Sequence, residues 1–122
     1  MLDLANIPLK TSLRPDWTTP VVVAGGPCAC NPEPLADFID IFFLGEGEEV
    51  DLEVIDLYKK CRADGLSKKE FFIEASKIEG VYVPSLYDVN YNSDGTIASV
   101  LANCGAPVRV RKRIIKDLNS AY

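Results

Sequence analysis

Two thiols one residue apart, Cys28 and Cys30, are the most conspicuous candidates for chemistry in this 122-residue sequence. Thiolates bind soft metals and attack disulfides, but zinc and thioredoxin-like sites use two intervening residues, and iron–sulfur motifs use longer cysteine patterns. We therefore interpret Cys28 and Cys30 as small loop residues packed near Gly25 and Gly26. A reactive or metal-binding thiol pair is the alternative.

The remaining residue types narrow the possible reactions further. The sequence contains no histidine, which excludes a Ser-His-Asp triad, a Cys-His pair and any histidine-ligated zinc site within this chain. Cys61 falls on the apolar side of a predicted helix and is interpreted as a buried packing residue. Cys104 lies in a predicted loop and receives no role. We expect no catalytic residue and no metal ligand in this chain.

Two glycine-rich loops each follow a predicted strand and are the best candidates for ligand contacts. Open α/β sheets bind ligands at the carboxyl ends of their parallel strands, so we expect both loops at the same edge of the sheet. The candidate cofactor-binding residues are Gly25, Gly26, Gly45, Glu46 and Gly47. The alternative is that glycine only allows the turn from strand to helix.

The charges of the second loop disfavour a phosphate ligand. Glu46, Glu48 and Glu49 surround the start of a predicted helix, where they would repel the anion that a helix N-terminus attracts. We interpret these glutamates as favourable partners of the helix dipole.

The elements that would position these loops alternate between strand and helix. Residues 21–24 and 39–44 are continuous apolar runs, which are typical of parallel strands buried on both faces. Apolar residues spaced three and four apart predict a helix over 48–63, and a capping-box pattern at residue 67 opens a second helix that ends before Gly80. This order predicts an α/β fold.

The flanking segments have different patterns. Residues 1–19 are predicted to be the tail of a helix and a loop, and residues 34–38 one or two helical turns. From residue 81 the pattern changes: 87–91 and 96–101 alternate in polarity around an Asp-Gly turn, which predicts a β-hairpin. Residues 108–117 are predicted to be extended. We therefore divide the chain into 1–80 and 81–122.

Composition places the protein among soluble globular domains and excludes several partners. The net charge is −5, which disfavours nucleic-acid binding. A basic run near the C-terminus is the local exception and is interpreted as a solvated face; it contains Arg109, Arg111, Lys112, Arg113 and Lys116. We find no secretory signal and no apolar stretch of membrane-spanning length. We expect a cytoplasmic protein with reduced cysteines and no membrane partner.

The loops and the hairpin together resemble a known family. Residues 24–27, 31–38 and 44–49 are similar to the N-terminal region of large radical S-adenosylmethionine proteins whose first domain resembles a cobalamin-binding domain. The segment from residues 80–87 through 94–97 is similar to the connection that those proteins place before their catalytic barrel.

This resemblance implies a fold and a set of cofactors. Residues 1–80 would be the C-terminal half of a cobalamin-binding-like, flavodoxin-like domain, doubly wound with parallel strands, and 81–122 a β-hairpin extension toward a barrel that is absent here. In that family a Cys-x3-Cys-x2-Cys motif binds a four-iron four-sulfur cluster that reductively cleaves S-adenosylmethionine. The motif does not occur in this sequence, so we expect no cofactor in this chain and both cofactors in the parent protein.

The resemblance implies an accessory role rather than a catalytic one. We expect a non-catalytic fragment of a radical S-adenosylmethionine iron–sulfur oxidoreductase that packs on, or orients, the barrel of the same polypeptide. The alternatives are a stand-alone module that binds a cobalamin-like or nucleotide-like ligand at the strand-end loops, and a redox protein that uses Cys28 and Cys30. A truncated sheet would also leave an open strand edge, so self-association of the fragment is expected.

Overall fold

The computed structural model describes residues 1–117 and 119 of the chain. Within these residues it contains five β-strands and two α-helices, which confirms the prediction of an α/β fold. The elements are β1 (Val23–Ala24), β2 (Ile41–Phe43), α1 (Gly47–Ala63), α2 (Lys68–Ala75), β3 (Val81–Tyr82), β4 (Tyr87–Tyr91) and β5 (Ile97–Ala102). None of the helices in this described part is both long and apolar enough to cross a membrane.

The main sheet has three strands in the order β1-β2-β3. β1 and β2 are parallel, as predicted, with Val23 opposite Ile41. β3 runs antiparallel to β2, with Phe42 opposite Tyr82, so the expectation of a purely parallel sheet is wrong. The reason is that α1 and α2 form a helical hairpin, which brings the chain back to the end of the sheet at which β2 finished. At this end the Leu44 amide, just after β2, donates to the Gly80 carbonyl, just before β3, at 2.7 Å.

The two helices cover one face of this sheet. The predicted apolar side of α1 is confirmed, because Val50, Val54 and Cys61 are buried against Ile41 and Val81. α2 begins with the predicted capping box, in which Ser67 and Glu70 bond reciprocally. It ends at Ala75 and is followed by turns, so it is shorter than predicted. Burial of these apolar side chains is the main force that holds the helices on the sheet.

The N-terminal segment is not the tail of a helix. It forms 3-10 turns at Asp3–Ala5 and Thr11–Leu13, and a further 3-10 turn at Glu33–Leu35 replaces part of the helical turns expected over 34–38. Pro8 and Pro15 interrupt the segment. Proline inside an α-helix breaks it, because it has no backbone N–H to donate and its ring clashes with the preceding turn.

A buried polar network that sequence patterns did not indicate holds this segment to the domain. The Arg14 guanidinium donates to Asp40 Oδ2 at 3.1 Å, and both side chains are almost fully buried. Arg14 also donates to three backbone carbonyls, those of Pro8, Leu9 and Phe38. From α2, the Lys68 ammonium donates to the carbonyls of Arg14 and Pro20. Ion pairing and hydrogen bonding offset the cost of burying these charges.

The predicted hairpin is present as a separate two-stranded sheet. β4 and β5 are antiparallel, with Tyr87 opposite Ala102 and Val89 opposite Val100. Beyond β5, the segment predicted to be extended over 108–117 contains no regular strand. It makes a single parallel bridge, between Arg113 and Gly45, next to the carboxyl end of β2.

Candidate functional site

The two glycine-rich loops meet in one pocket at the carboxyl ends of β1 and β2. This strand-end pocket has a volume of about 690 Å³ and is lined by Gly25, Gly26, Gly45, Glu46 and Gly47. The structure therefore brings together all five candidate residues. The volume falls within the range of small-molecule sites, roughly 300–1,000 Å³. Whether these residues bind a ligand stays a prediction.

Apolar side chains form much of the remaining wall. Val23 and Phe43 come from the strands, and Val54 and Ile55 come from the first half of α1. The charged lining residues Glu46, Glu48 and Asp51 are all acidic, and among the described residues no lysine or arginine lines the pocket. Such a surface disfavours phosphate and other anions, in agreement with the charge argument from the sequence.

Gly26 and Gly25 contribute to the pocket in different ways. Gly26 has a φ of +94°, a conformation that L side chains rarely adopt, and an added Cβ would meet no atom within 4 Å. At Gly25 an added Cβ would make only an ordinary contact with Phe43, at 3.7 Å. Glycine is therefore required at position 26 by backbone conformation, and the space beside it is open.

Gly45 has a packing role that the sequence did not reveal. Its φ is +109°, and a Cβ there would lie only 2.8 Å from the backbone nitrogen of Arg113. The close approach allows the Arg113 amide to donate to the Leu44 carbonyl at 2.8 Å, and the Glu46 amide to donate to the Arg113 carbonyl at 3.2 Å. Gly80, with a φ of +90°, makes room for the same residue. The two glycines therefore admit the C-terminal segment to the rim of the pocket.

The glutamates near the start of α1 also hold this segment. Glu46 accepts a hydrogen bond from the Ile115 amide, while Arg113 donates to Glu49 at 2.8 Å and to Glu53 at 2.6 Å. Glu49 lies in the first turn of α1, where its charge also suits the helix dipole. The dipole interpretation of the glutamates was therefore incomplete, because two of the three bind the C-terminal segment.

The basic run is only partly the solvated face that we expected. Arg109, Arg111, Lys112 and Lys116 are exposed. The side chain of Arg113, in contrast, is only 17% exposed and is paired with two carboxylates. For Arg113 the expectation was wrong, because its backbone bridge to Gly45 places the guanidinium against α1.

The four cysteines are dispersed over the domain. Cys28 and Cys30 are exposed in a 3-10 turn (Pro27–Cys30) whose buried residue is Ala29, so the expectation that the two thiols pack is wrong. Cys61 is buried in the core as predicted, and this burial raises the pKa of its thiol. Cys104 is exposed. Over residues 1–117 and 119, no three cysteine, aspartate or glutamate side chains are grouped to hold a metal ion.

A second group of polar side chains lies where the hairpin joins the main sheet. The Tyr82 hydroxyl donates to Glu33 at 2.5 Å, and the Tyr87 hydroxyl donates to the Pro107 carbonyl at 2.8 Å. Burial of Tyr82, together with the negative charge of Glu33, raises the pKa of the phenol well above its ordinary value. The phenol therefore stays protonated at neutral pH and serves as a donor.

Comparison with known proteins agrees with the resemblance found in the sequence. The family model described as radical SAM proteins, N-terminal, matches residues 1–84, and the chain belongs to this family. The matched range includes both loops of the strand-end pocket and extends through β3. Residues 1–84 are thus an N-terminal region of the radical SAM type.

A relative was also found in an archaeon. An uncharacterized protein of Methanocaldococcus jannaschii is 34% identical over 83 residues, which cover 66% of this chain and 18% of the relative. The chain therefore spans less than a fifth of the length of that relative. No solved protein structure matches the chain.

Proposed function

We propose that this chain is a non-catalytic accessory domain that packs against the catalytic barrel of a radical S-adenosylmethionine iron–sulfur oxidoreductase. In this proposal the strand-end pocket and its two loops face the barrel. The family membership supports the radical-enzyme context, and the absence of a Cys-x3-Cys-x2-Cys motif from residues 1–122 supports a non-catalytic role. The cluster and S-adenosylmethionine would then bind elsewhere in the parent protein, which we place in the cytoplasm.

The observation that carries this proposal is the anchoring of the C-terminal segment. Backbone hydrogen bonds join Arg113 to Leu44 and Glu46, and its guanidinium bridges two glutamates of α1. These contacts hold Arg113 beside Gly45, which lines the strand-end pocket. In the proposed arrangement, a barrel that contacts this segment also meets the two glycine-rich loops.

The residues of this chain do not fit as ligands of an iron–sulfur cluster or of the cobalt of cobalamin. Cys28 and Cys30 have the wrong spacing for the cluster and Cys61 is buried in the core. The chain also lacks a histidine that could supply an imidazole to cobalt. We therefore propose a domain of flavodoxin-like and cobalamin-binding-like ancestry whose strand ends serve as a contact surface.

The test is a pair of glycine substitutions in the full-length parent protein. Gly26→Arg adds a long charged side chain at the pocket, whereas Gly65→Arg adds the same side chain at the end of α1. Both glycines have positive φ, and neither has an atom within 4 Å of an added Cβ, so the added side chain itself meets no neighbour at either position. The backbone strain is larger at Gly26, whose φ of +94° and ψ of −179° suit glycine alone. We expect Gly26→Arg to lower reductive cleavage of S-adenosylmethionine while the cluster absorbance is retained.

The control variant and the wild type should then behave alike in turnover. Equal turnover in all three proteins would contradict an interface at the strand-end pocket. Loss of the cluster in Gly26→Arg alone would mean that the loop acts on cluster assembly, which the accessory role does not predict.

A small-ligand module is the second candidate, and the size and apolar lining of the strand-end pocket favour it. Titration calorimetry of the chain with cobalamin, and separately with a nucleotide, distinguishes the two candidates. Saturable binding that Gly26→Arg abolishes and Gly65→Arg preserves would support the module. Absence of heat with both ligands would leave the accessory role as the better account.

A further inference from the structure

A second cleft lies between the region of the 3-10 turn at Glu33–Leu35 and the hairpin. This hairpin cleft has a volume of about 480 Å³. One wall carries the carboxylates of Glu33 and Asp37, and the other is formed by Tyr87, Val89 and Tyr91 of β4. It shares no lining residue with the strand-end pocket. Its chemistry therefore has to be considered separately.

The lining of the hairpin cleft favours a cation. Two carboxylates face two tyrosines across it, and none of the described lining residues is a lysine or arginine. Aromatic faces attract ammonium and guanidinium groups, and nearby carboxylates add a direct charge interaction. The hydrogen bond from Tyr82 occupies one oxygen of Glu33, which leaves the other oxygen and the exposed Asp37 for a ligand.

The apolar face of the hairpin extends this surface beyond the cleft. Val89 pairs with Val100, and Tyr91 pairs with Ile97, so these side chains lie on the same face of the hairpin as Tyr87. Tyr91, Ile97 and Val100 are nevertheless 59%, 49% and 47% exposed. A two-stranded hairpin is only marginally stable without a covering layer. The face is therefore incompletely covered in this chain.

The length of this surface indicates the size of its occupant. Four residue steps separate Tyr87 from Tyr91 along β4, which corresponds to about 14 Å at roughly 3.4 Å per residue. A small ammonium ion would occupy only one end of such a surface. An extended peptide of about five residues would cover it, with one set of alternate side chains directed into the cleft and the other toward the exposed face of the hairpin.

We propose that the hairpin cleft docks a short extended segment of a partner polypeptide in which basic and apolar residues alternate. The basic side chains contact Glu33 and Asp37 and the tyrosine rings, while the apolar side chains cover Val100 and Ile97. The acidic net charge of the chain, −5, assists the approach of such a segment. This inference does not depend on the role of the strand-end pocket.

The test is an NMR titration of the ¹⁵N-labelled 122-residue chain with three probes. The first is a blocked Lys-Val-Lys-Val-Lys pentapeptide, the second is the same peptide with glutamate in place of lysine, and the third is n-butylammonium. We expect the basic peptide to cause saturable shifts at the amides of Tyr87, Val89 and Tyr91. Charge reversal should abolish binding, and salt should weaken it.

Each other outcome contradicts part of the proposal. If n-butylammonium binds as tightly as the basic peptide, the occupant is a small cation and not a polypeptide. If the glutamate peptide binds equally well, charge does not select the partner. Shifts that map to the strand-end pocket, or no saturable shift with any probe, would overturn the assignment of the hairpin cleft.

Two single substitutions of matched charge locate the contact. Asp37→Asn removes one carboxylate of the cleft. We expect it to lower the affinity for the basic peptide by up to about fivefold, the upper range for an exposed ion pair. Asp56→Asn removes an exposed carboxylate of α1 and should leave the affinity unchanged. Equal effects of the two substitutions would show only a general charge effect. Tyr91→Ala, which removes an exposed ring, should weaken binding by about two- to fivefold.

Discussion

Substitution of Gly45 by alanine tests how the C-terminal segment is held at the strand-end pocket. The added Cβ would lie 2.8 Å from the backbone nitrogen of Arg113 and 2.9 Å from Lys112 Cγ, so the segment has to move. Its displacement breaks the hydrogen bond from Arg113 to Leu44 and the bond from Glu46 to Arg113. Gly65→Ala is the matched control, because Gly65 also has positive φ but faces open space.

The expected loss of stability has two parts. An alanine in the left-handed region costs about 1–2 kcal/mol, which is the cost expected for Gly65→Ala at a φ of +72° and the minimum for Gly45→Ala at a φ of +109°. Two lost backbone hydrogen bonds cost Gly45→Ala a further amount of about 1–3 kcal/mol. The total, about 2–5 kcal/mol, leaves the chain folded if its stability is about 6–18 kcal/mol, the usual range for this length.

Urea unfolding measured by circular dichroism gives the free energy of unfolding of each variant. Amide hydrogen exchange gives the local effect, and we expect the Arg113 and Ile115 amides to exchange faster in Gly45→Ala, because their acceptors are Leu44 and Glu46. Equal destabilisation by Gly45→Ala and Gly65→Ala, with unchanged exchange at both amides, would refute the role assigned to Gly45.

Two further predictions concern the core. Arg14→Met should lower the free energy of unfolding in urea by about 3–5 kcal/mol, because it leaves the Asp40 carboxylate buried without its cation. Adding Asp40→Asn to this variant should recover part of the loss. A loss below about 1 kcal/mol in Arg14→Met alone would contradict the network. Under native conditions a maleimide should label Cys28, Cys30 and Cys104 well before Cys61, whose thiol is buried and has a raised pKa. Equal rates at all four thiols, measured by mass spectrometry, would contradict the packing of α1.

Features that depend on neighbouring residues were predictable from the sequence. The capping box of Ser67 and Glu70 fixed the start of α2, and the spacing of apolar residues fixed α1 to within one residue at its N-terminus. The Asp94-Gly95 turn located the hairpin, since Gly95 has the positive φ that such a turn needs. Each of these signals lies within a few residues of the structure that it specifies.

Features that depend on distant segments were not predictable in this way. The antiparallel direction of β3 follows from how α1 and α2 return the chain, and a strand as short as Val81–Tyr82 carries no pattern that gives its direction. The Arg14–Asp40 pair joins residues that are far apart in the sequence. One local signal was available, a single aspartate inside the apolar run 39–44, because a charged residue in a buried strand requires a partner.

The glycines of the candidate site also have one role that is visible in the local sequence and one that depends on a distant segment. Gly45 and Gly80 read locally as turn residues, yet both also make room for the backbone of Arg113. Arg113 also pairs with Glu49 and Glu53, so the segment that carries it is held against Gly45, a lining residue of the strand-end pocket. A substitution at Gly45 therefore acts on a lining residue of the pocket and on the C-terminal segment at the same time. Gly26 lines the same pocket, but an added Cβ there meets no other segment. A substitution at Gly26 therefore tests a contact at the strand ends without displacing the C-terminal segment.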